Sequence, residues 1–111
     1  MFKIGKAGEK KAAKYLISKG YSIIDKNYRC KFGEIDIIAK KDDVIVFVEV
    51  KTRKNRNFGY GFEAVDRKKI DKIIKVAERF LMSRNIENPC RFDVISIDGD
   101  DITHIENAFT V

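Results

Sequence analysis

Apolar positions along the chain switch between two periods. From Lys6 to Lys19, Ala12, Tyr15 and Leu16 recur at i, i+3 and i+4 among lysines, and Gly20 follows as a stop, so an amphipathic helix is expected there. Tyr21 to Cys30 is rich in Ile and Tyr and reads as a strand, with a turn over Lys31 to Gly33. Glu34 to Ala39 and Val44 to Lys51 make two more strands, joined as a hairpin across the polar Lys40-Lys41-Asp42-Asp43 stretch. The second is apolar on both faces, with Val44, Val46, Val48 and Val50 on one side and Ile45 and Phe47 on the other. A strand patterned in this way belongs in the middle of a sheet that is covered on both sides.

Lys54 to Gly61 is a Gly/Asn loop carrying basic and aromatic residues. From about Ala64 to Met82 the helical period returns, with Ile70, Ile73, Ile74, Ala77, Phe80 and Leu81 at helical spacing and Arg67, Lys68, Lys69, Lys72, Lys75 and Arg79 around them. Asn85 to Pro89 breaks that helix. Arg91 to Ile97 forms a fourth strand, Asp98 to Asp101 a turn, and Ile102 to about Phe109 a weaker fifth strand. The order α-β-β-β-α-β-β predicts an α/β sandwich, a mixed sheet with helices covering it. No repeat, low-complexity tract or linker interrupts it, so residues 1–111 are expected to form a single domain.

Composition narrows the class. With 111 residues, 44% of them hydrophobic, the chain fills a core without metal or disulfide staples. No apolar run approaches the roughly 18–20 residues that span a bilayer, and the N-terminus lacks the apolar stretch of a signal peptide, so a cytoplasmic protein without a membrane partner is expected. Cys30 and Cys90 stand apart without metal-site spacing and are expected as small buried apolar residues. His104 also stands alone and is expected at the surface or on an edge strand.

The net charge of +6 is unevenly distributed. Residues 1–33 carry nine basic and two acidic side chains, and residues 51–84 carry eleven and four. Residues 34–50 and 85–111 come to −3 and −5. Basic excess confined to two segments suggests a positive face for a phosphate backbone; solvated lysines on two amphipathic helices are the competing reading.

Candidate chemistry lies in the hairpin. Strand alternation puts Glu34, Asp36 and Ile38 on one face of its first strand and Ile45, Phe47, Glu49 and Lys51 on one face of its second. Paired positions in an antiparallel hairpin have a constant sum. One register sets Asp36 opposite Glu49 and Glu34 opposite Lys51, and a register shifted by two makes Asp36 and Glu49 diagonal neighbours, within about 8 Å either way. Two carboxylates and a lysine at the end of a sheet suit metal-assisted phosphodiester hydrolysis, because Mg²⁺ takes hard oxygen ligands and leaves positions for phosphate and water. Asp36 and Glu49 would be the ligands, and Lys51 would position or help deprotonate the attacking water. A Glu49/Lys51 ion pair at a strand end is the structural alternative.

The segments GEID (Gly33 to Asp36), VFVEVKTR (Val46 to Arg53), an early Gly8-Glu9 on a lysine-rich helix and RFDV (Arg91 to Val94) resemble the YraN-like family of small bacterial proteins. That family has a restriction-endonuclease-like fold related to archaeal Holliday junction resolvases, and the resemblance runs from Gly5 to about Ile97. It implies a Mg²⁺ or Mn²⁺ dependent endonuclease with Asp36 and Glu49 as metal ligands, Lys51 as the catalytic lysine and the Val50 carbonyl as a further ligand. Glu9 matches a first-helix glutamate that nucleases of this fold bring near the metal; an exposed helix glutamate is the alternative. Glu34 would support the site or face Lys51. The proline that precedes the aspartate in many such nucleases is Ile35 here.

Arg53, Lys54, Arg56, Tyr60, Lys68 and Lys69 follow the active strand and would meet DNA phosphates, and Phe58 or Tyr60 would stack on an exposed base. The expected partner is DNA, including branched DNA. A non-catalytic module that binds nucleic acid and recruits repair proteins, and an RNA-processing nuclease, are the competing functions. Monomer and homodimer are both open at this point.

Overall fold

The computed structural model describes residues 6–53 and 67–109, with Lys6 and Arg53 through their backbone only. Two helices and five strands follow in the order α1 (Lys6–Ser18), β1 (Ser22–Cys30), β2 (Gly33–Lys41), β3 (Val44–Arg53), α2 (Arg67–Ser83), β4 (Cys90–Asp98) and β5 (Asp101–Phe109). The strands lie side by side in chain order, antiparallel except for the β3–β4 pair, which is parallel. This is the mixed α/β arrangement that the sequence pattern predicts.

Local sequence explains the boundaries. Helix α1 ends at Gly20, whose φ of +92° is open to glycine, and Tyr21 N–H reaches back to the Leu16 carbonyl at 3.0 Å while Gly20 N–H reaches Ile17 at 3.0 Å. Tyr21 and Leu16 are then buried together, as such a terminus favours. The β2–β3 hairpin turns on Asp42 and Asp43, both at positive φ (50° and 71°), the conformation whose twist matches the flanking strands. Asn88 donates to the Asp43 carbonyl and carboxylate at 3.0 and 2.8 Å and holds that turn.

Each helix covers one face of the sheet. Ala12, Ala13 and Leu16 of α1 pack on Ile37, Ala39, Val46, Val48, Ile95 and Ile97. Ile73, Val76, Ala77 and Phe80 of α2 pack on the opposite face, against Ile35, Ile38, Ile45, Phe47 and Phe92. Strand β3 contributes to both cores, which is why it has no polar face until Glu49. Among the described residues no helix is long and apolar enough to cross a membrane.

One expectation is corrected here. Both cysteines are free thiols, but Cys30 is only half-buried at the margin of the α2-side core and Cys90 is exposed. His104 does lie on edge strand β5, but its side chain is 6% exposed and hydrogen-bonded, because α1 closes over it.

Candidate active site

The hairpin register sets Ile37 opposite Val48, so Asp36 and Glu49 stand one step beyond the last ladder pair. There the strands part. Ile37 packs under α1 whereas Ile35, two residues away, packs under α2, so the alternation of β2 breaks at Asp36. On β1, Asn27 stands between the partners of Ile37 and Ile35 and has a φ of 55°. Asp36 therefore does not simply share a face with Glu34 and Ile38, as strict alternation predicts. Its carboxylate enters the gap between β2 and β3 and accepts the Val50 N–H at 2.8 Å. An extended residue turns its N–H and C=O toward the same neighbour, so the Val50 carbonyl faces this gap as well.

Glu49 is the hub of the site. It shares a hydrogen bond with Asp36 and accepts from Lys69 of α2 at 2.6 Å and from Lys51 at 3.4 Å. Glu49 and Lys51 are largely buried, with 12% and 20% of their side chains exposed. Burial pushes the Asp36 carboxyl up to about 7, helped by the charge of Glu49 and, more weakly, of Glu9, against the Val50 N–H, which favours ionisation. Burial also lowers the Lys51 ammonium, aided by the neighbouring Lys69. Burial would lower Lys69 too, but its contact with Glu49 outweighs this and raises it. A cleft of about 250 Å³ opens over these groups, lined by Phe32, Glu34, Asp36, Glu49, Lys69 and Lys72 among others.

Glu9 is brought toward Asp36 by the seating of α1. Gly8 is buried against Thr52 of β3, and a Cβ on Gly8 would stand 2.2 Å from the Thr52 Oγ1. That separation is far inside van der Waals contact, so only glycine allows this approach. Gly8→Ala is expected to lower stability by about 1–3 kcal/mol, as overpacking does. Removing the obstructing hydroxyl in Gly8→Ala/Thr52→Ala should recover most of the loss. Urea denaturation of the single and double variants checks this; additive losses would show that Gly8 is not held by Thr52.

Other expected residues fall differently. Glu34 does not face Lys51; it pairs with Arg29 of β1 at 3.3 Å, because β2 has left β3 and kept to β1 at that point. Lys69, expected on DNA phosphate, points instead to Glu49, since its helical position turns it toward the sheet. Lys68, one residue away, is exposed. Lys54, Arg56, Phe58 and Tyr60 lie outside the described residues, as does the side chain of Arg53.

Among the described residues no group of three His, Cys, Asp or Glu side chains stands close enough to hold a metal. What remains is two hydrogen-bonded carboxyls and a facing backbone carbonyl, all hard oxygens. The Asp36 carboxyl is raised first by burial and then by the neighbouring charge of Glu49, and a cation beside the pair would favour its ionised form. Such a set fits Mg²⁺ or Mn²⁺, which commonly keep water and substrate phosphate in their other positions.

Sequence reasoning missed a second polar centre. Asp93 of β4 has a fully buried carboxylate that takes Arg91 through Nε and Nη2 at 2.9 and 2.8 Å, His104 Nε2 at 2.7 Å and the Asn107 N–H at 3.0 Å. Arg91 also donates to the Tyr21 hydroxyl, and His104 Nδ1 lies 3.2 Å from that of Tyr15. The signal was present: two opposite charges two residues apart inside an otherwise apolar strand.

A model of the uncharacterised protein family UPF0102 matches residues 8–97. A UPF0102 protein of Sulfurihydrogenibium sp. is 54% identical over 108 residues, covering 96% of this chain and 94% of its own length. One from Clostridioides difficile is 55% identical over 108 residues, with 95% of each chain covered. Another, from Persephonella marina, is 49% identical over 106 residues, covering 95% and 91% respectively.

Proposed function

Given that the chain belongs to the uncharacterised protein family UPF0102, we propose that it is a Mg²⁺ or Mn²⁺ dependent endonuclease acting on DNA, including branched DNA. The observation that carries the reading is the pairing of Asp36 with Glu49 in the gap where β2 leaves β3, with Lys51 beside them. Asp36, Glu49 and the Val50 carbonyl would hold the cation. When bound, it would polarise the phosphoryl oxygens and lower the pKa of a coordinated water.

The chain's own groups do the rest. Val50 N–H fixes one oxygen of Asp36, so the other oxygen is oriented by the backbone. The Lys51 ammonium, on the same strand face as Glu49, orients the attacking water and offsets the charge that develops on the phosphoryl oxygens. Lys69 holds Glu49 in one rotamer and must share it with a cation. The same contact favours the second reading, a non-catalytic nucleic-acid module, because a lysine at 2.6 Å already satisfies the carboxylate.

Purified protein with Mn²⁺ is expected to cleave at least one of a matched set of single-stranded, duplex, flap and four-way DNA substrates. An RNA set run in parallel tests the RNA-processing alternative. Asp36→Asn and Glu49→Gln should each lose Mn²⁺ binding by titration calorimetry together with cleavage. Unaltered Mn²⁺ binding in both variants, or no cleavage of any substrate, overturns the reading.

Affinity for DNA should fall with salt as counterions are released. Exposed Lys68 is expected to contribute one phosphate contact, so Lys68→Ala should flatten the log–log salt slope by about one. Fluorescence anisotropy across a salt series measures it. An unchanged slope would leave Lys68 as ordinary solvated surface.

A further inference from the structure

Phe32 is unusual among the described phenylalanines. Phe47, Phe80 and Phe92 are buried in the α2-side core, whereas Phe32 is 36% exposed at the tip of the β1–β2 turn. Gly33, whose φ of +145° favours glycine, follows it in the turn, close to Val76 of α2. The ring forms a shared wall between two concavities. On one side is the cleft with Asp36 and Glu49, and on the other a groove of about 300 Å³ lined by Lys75, Glu78, Arg79 and Met82. Lys31 and Lys75 place their ammonium groups 5.3 and 5.7 Å from the ring centroid. Lys72, Lys75 and Arg79 follow one another along α2, a line of positive charge running roughly 10 Å past the ring, with Glu78 as the acid among them.

We propose that Phe32 is a stacking platform for an unpaired base of the DNA strand whose phosphate lies at the Asp36–Glu49 cleft. The substrate class is then DNA with an unpaired nucleotide at the cleaved position: a single strand, a flap or an opened junction. This rests on the hydrolytic reading above and extends it. Within a duplex both faces of a base are covered by its neighbours, so an aromatic face in the cleft wall is met only by a base that has left the stack. Stacking a base on an aromatic ring is worth more than an exposed cation–π contact, so the base displaces an ammonium, which then meets the adjoining phosphate. The exposed Met82 adds apolar surface to the groove, where Arg79 supplies charge matching the strand, and Lys72 does the same in the cleft on the other side of the ring.

A set of single-stranded DNA oligonucleotides carrying 5-iodouracil at successive positions, bound with Ca²⁺ in place of a cleaving cation and irradiated, tests this. A cross-link mapped by mass spectrometry to Phe32 is expected. Phe32→Tyr should keep the cross-link, and Phe32→Leu, which preserves bulk without a π-face, should abolish it and weaken single-strand binding at least fivefold by anisotropy. No cross-link to Phe32 from any position, or Phe32→Leu binding as tightly as the parent, overturns the proposal, and an RNA strand that outcompetes DNA overturns the choice of DNA. Hydrolysis without the cross-link would count against this surface alone. A cross-link without hydrolysis of any substrate would count against the hydrolytic reading alone.

Discussion

Lys51→Ala is expected to lower phosphodiester cleavage roughly 10²–10³-fold, the usual loss when one group that stabilises transition-state charge is removed, with little change in melting temperature. The asymmetry follows from the way Glu49 is held. Lys69 stays on Glu49 at 2.6 Å when Lys51 is gone, so no buried carboxylate is left without a cation. Single-turnover cleavage with saturating Mn²⁺, beside a thermal melt, separates the two quantities. A variant that cleaves at near-parental rate would make Lys51 a structural ion-pair partner; one that melts far below the parent would assign it to folding.

The largest loss of stability is expected elsewhere, at Asp93. Removing one partner from a buried charge network leaves the others desolvated and unpaired, which typically costs about 3–5 kcal/mol. Asp93→Ala removes the shared partner of the Arg91 guanidinium, the His104 ring and the Asn107 N–H, leaving the first two only their tyrosine contacts among hydrogen bonds, and should lower the melting temperature by roughly 10 °C or more. Burial alone would raise the Asp93 carboxyl, but hydrogen bonds from His104 and Arg91 outweigh it and hold the group below the usual carboxylate range. A carboxyl depressed in the folded state contributes its full stability above the unfolded pKa of about 3.9. That contribution is lost as pH falls through the folded value. The parent should therefore lose stability below about pH 4, and Asp93→Asn should show a shallower acid slope in urea melts taken across that range. Equal slopes would remove Asp93 as a source of the acid sensitivity.

The two centres differ in how far they could be read from sequence. Asp36 and Glu49 are joined by a tight hairpin, and the register that pairs Ile37 with Val48 is one of the two that alternation allowed. Glu9 was reachable through the Gly8-Glu9 pair, although its approach depends on the packing of Gly8 on Thr52. Lys69 was visible only as one lysine in a basic helix, and its neighbour Lys68 carries the same side chain with a different fate. Arg91 and Asp93 carried a signal, opposite charges inside an apolar strand, that acquires a meaning only once His104 and Tyr15 are brought to it from 11 and 89 residues away from their partners.

The amino-acid sequence by itself determined the elements, their order, the central place of β3 and the meeting of two carboxylates with a lysine at the end of the hairpin. Each of these follows from periods of 2.0 and 3.6 residues and from turn chemistry, which act over a few neighbouring positions. Tertiary structure alone decided that β2 leaves β3 at Asp36, that Lys69 rather than a DNA phosphate meets Glu49, that Glu34 turns to Arg29, and that Phe32 stands at the wall of the cleft. These outcomes depend on the angle at which α2 lies across the sheet and on which buried charges find partners. Both are settled by packing between segments far apart in the chain, where no local period reaches.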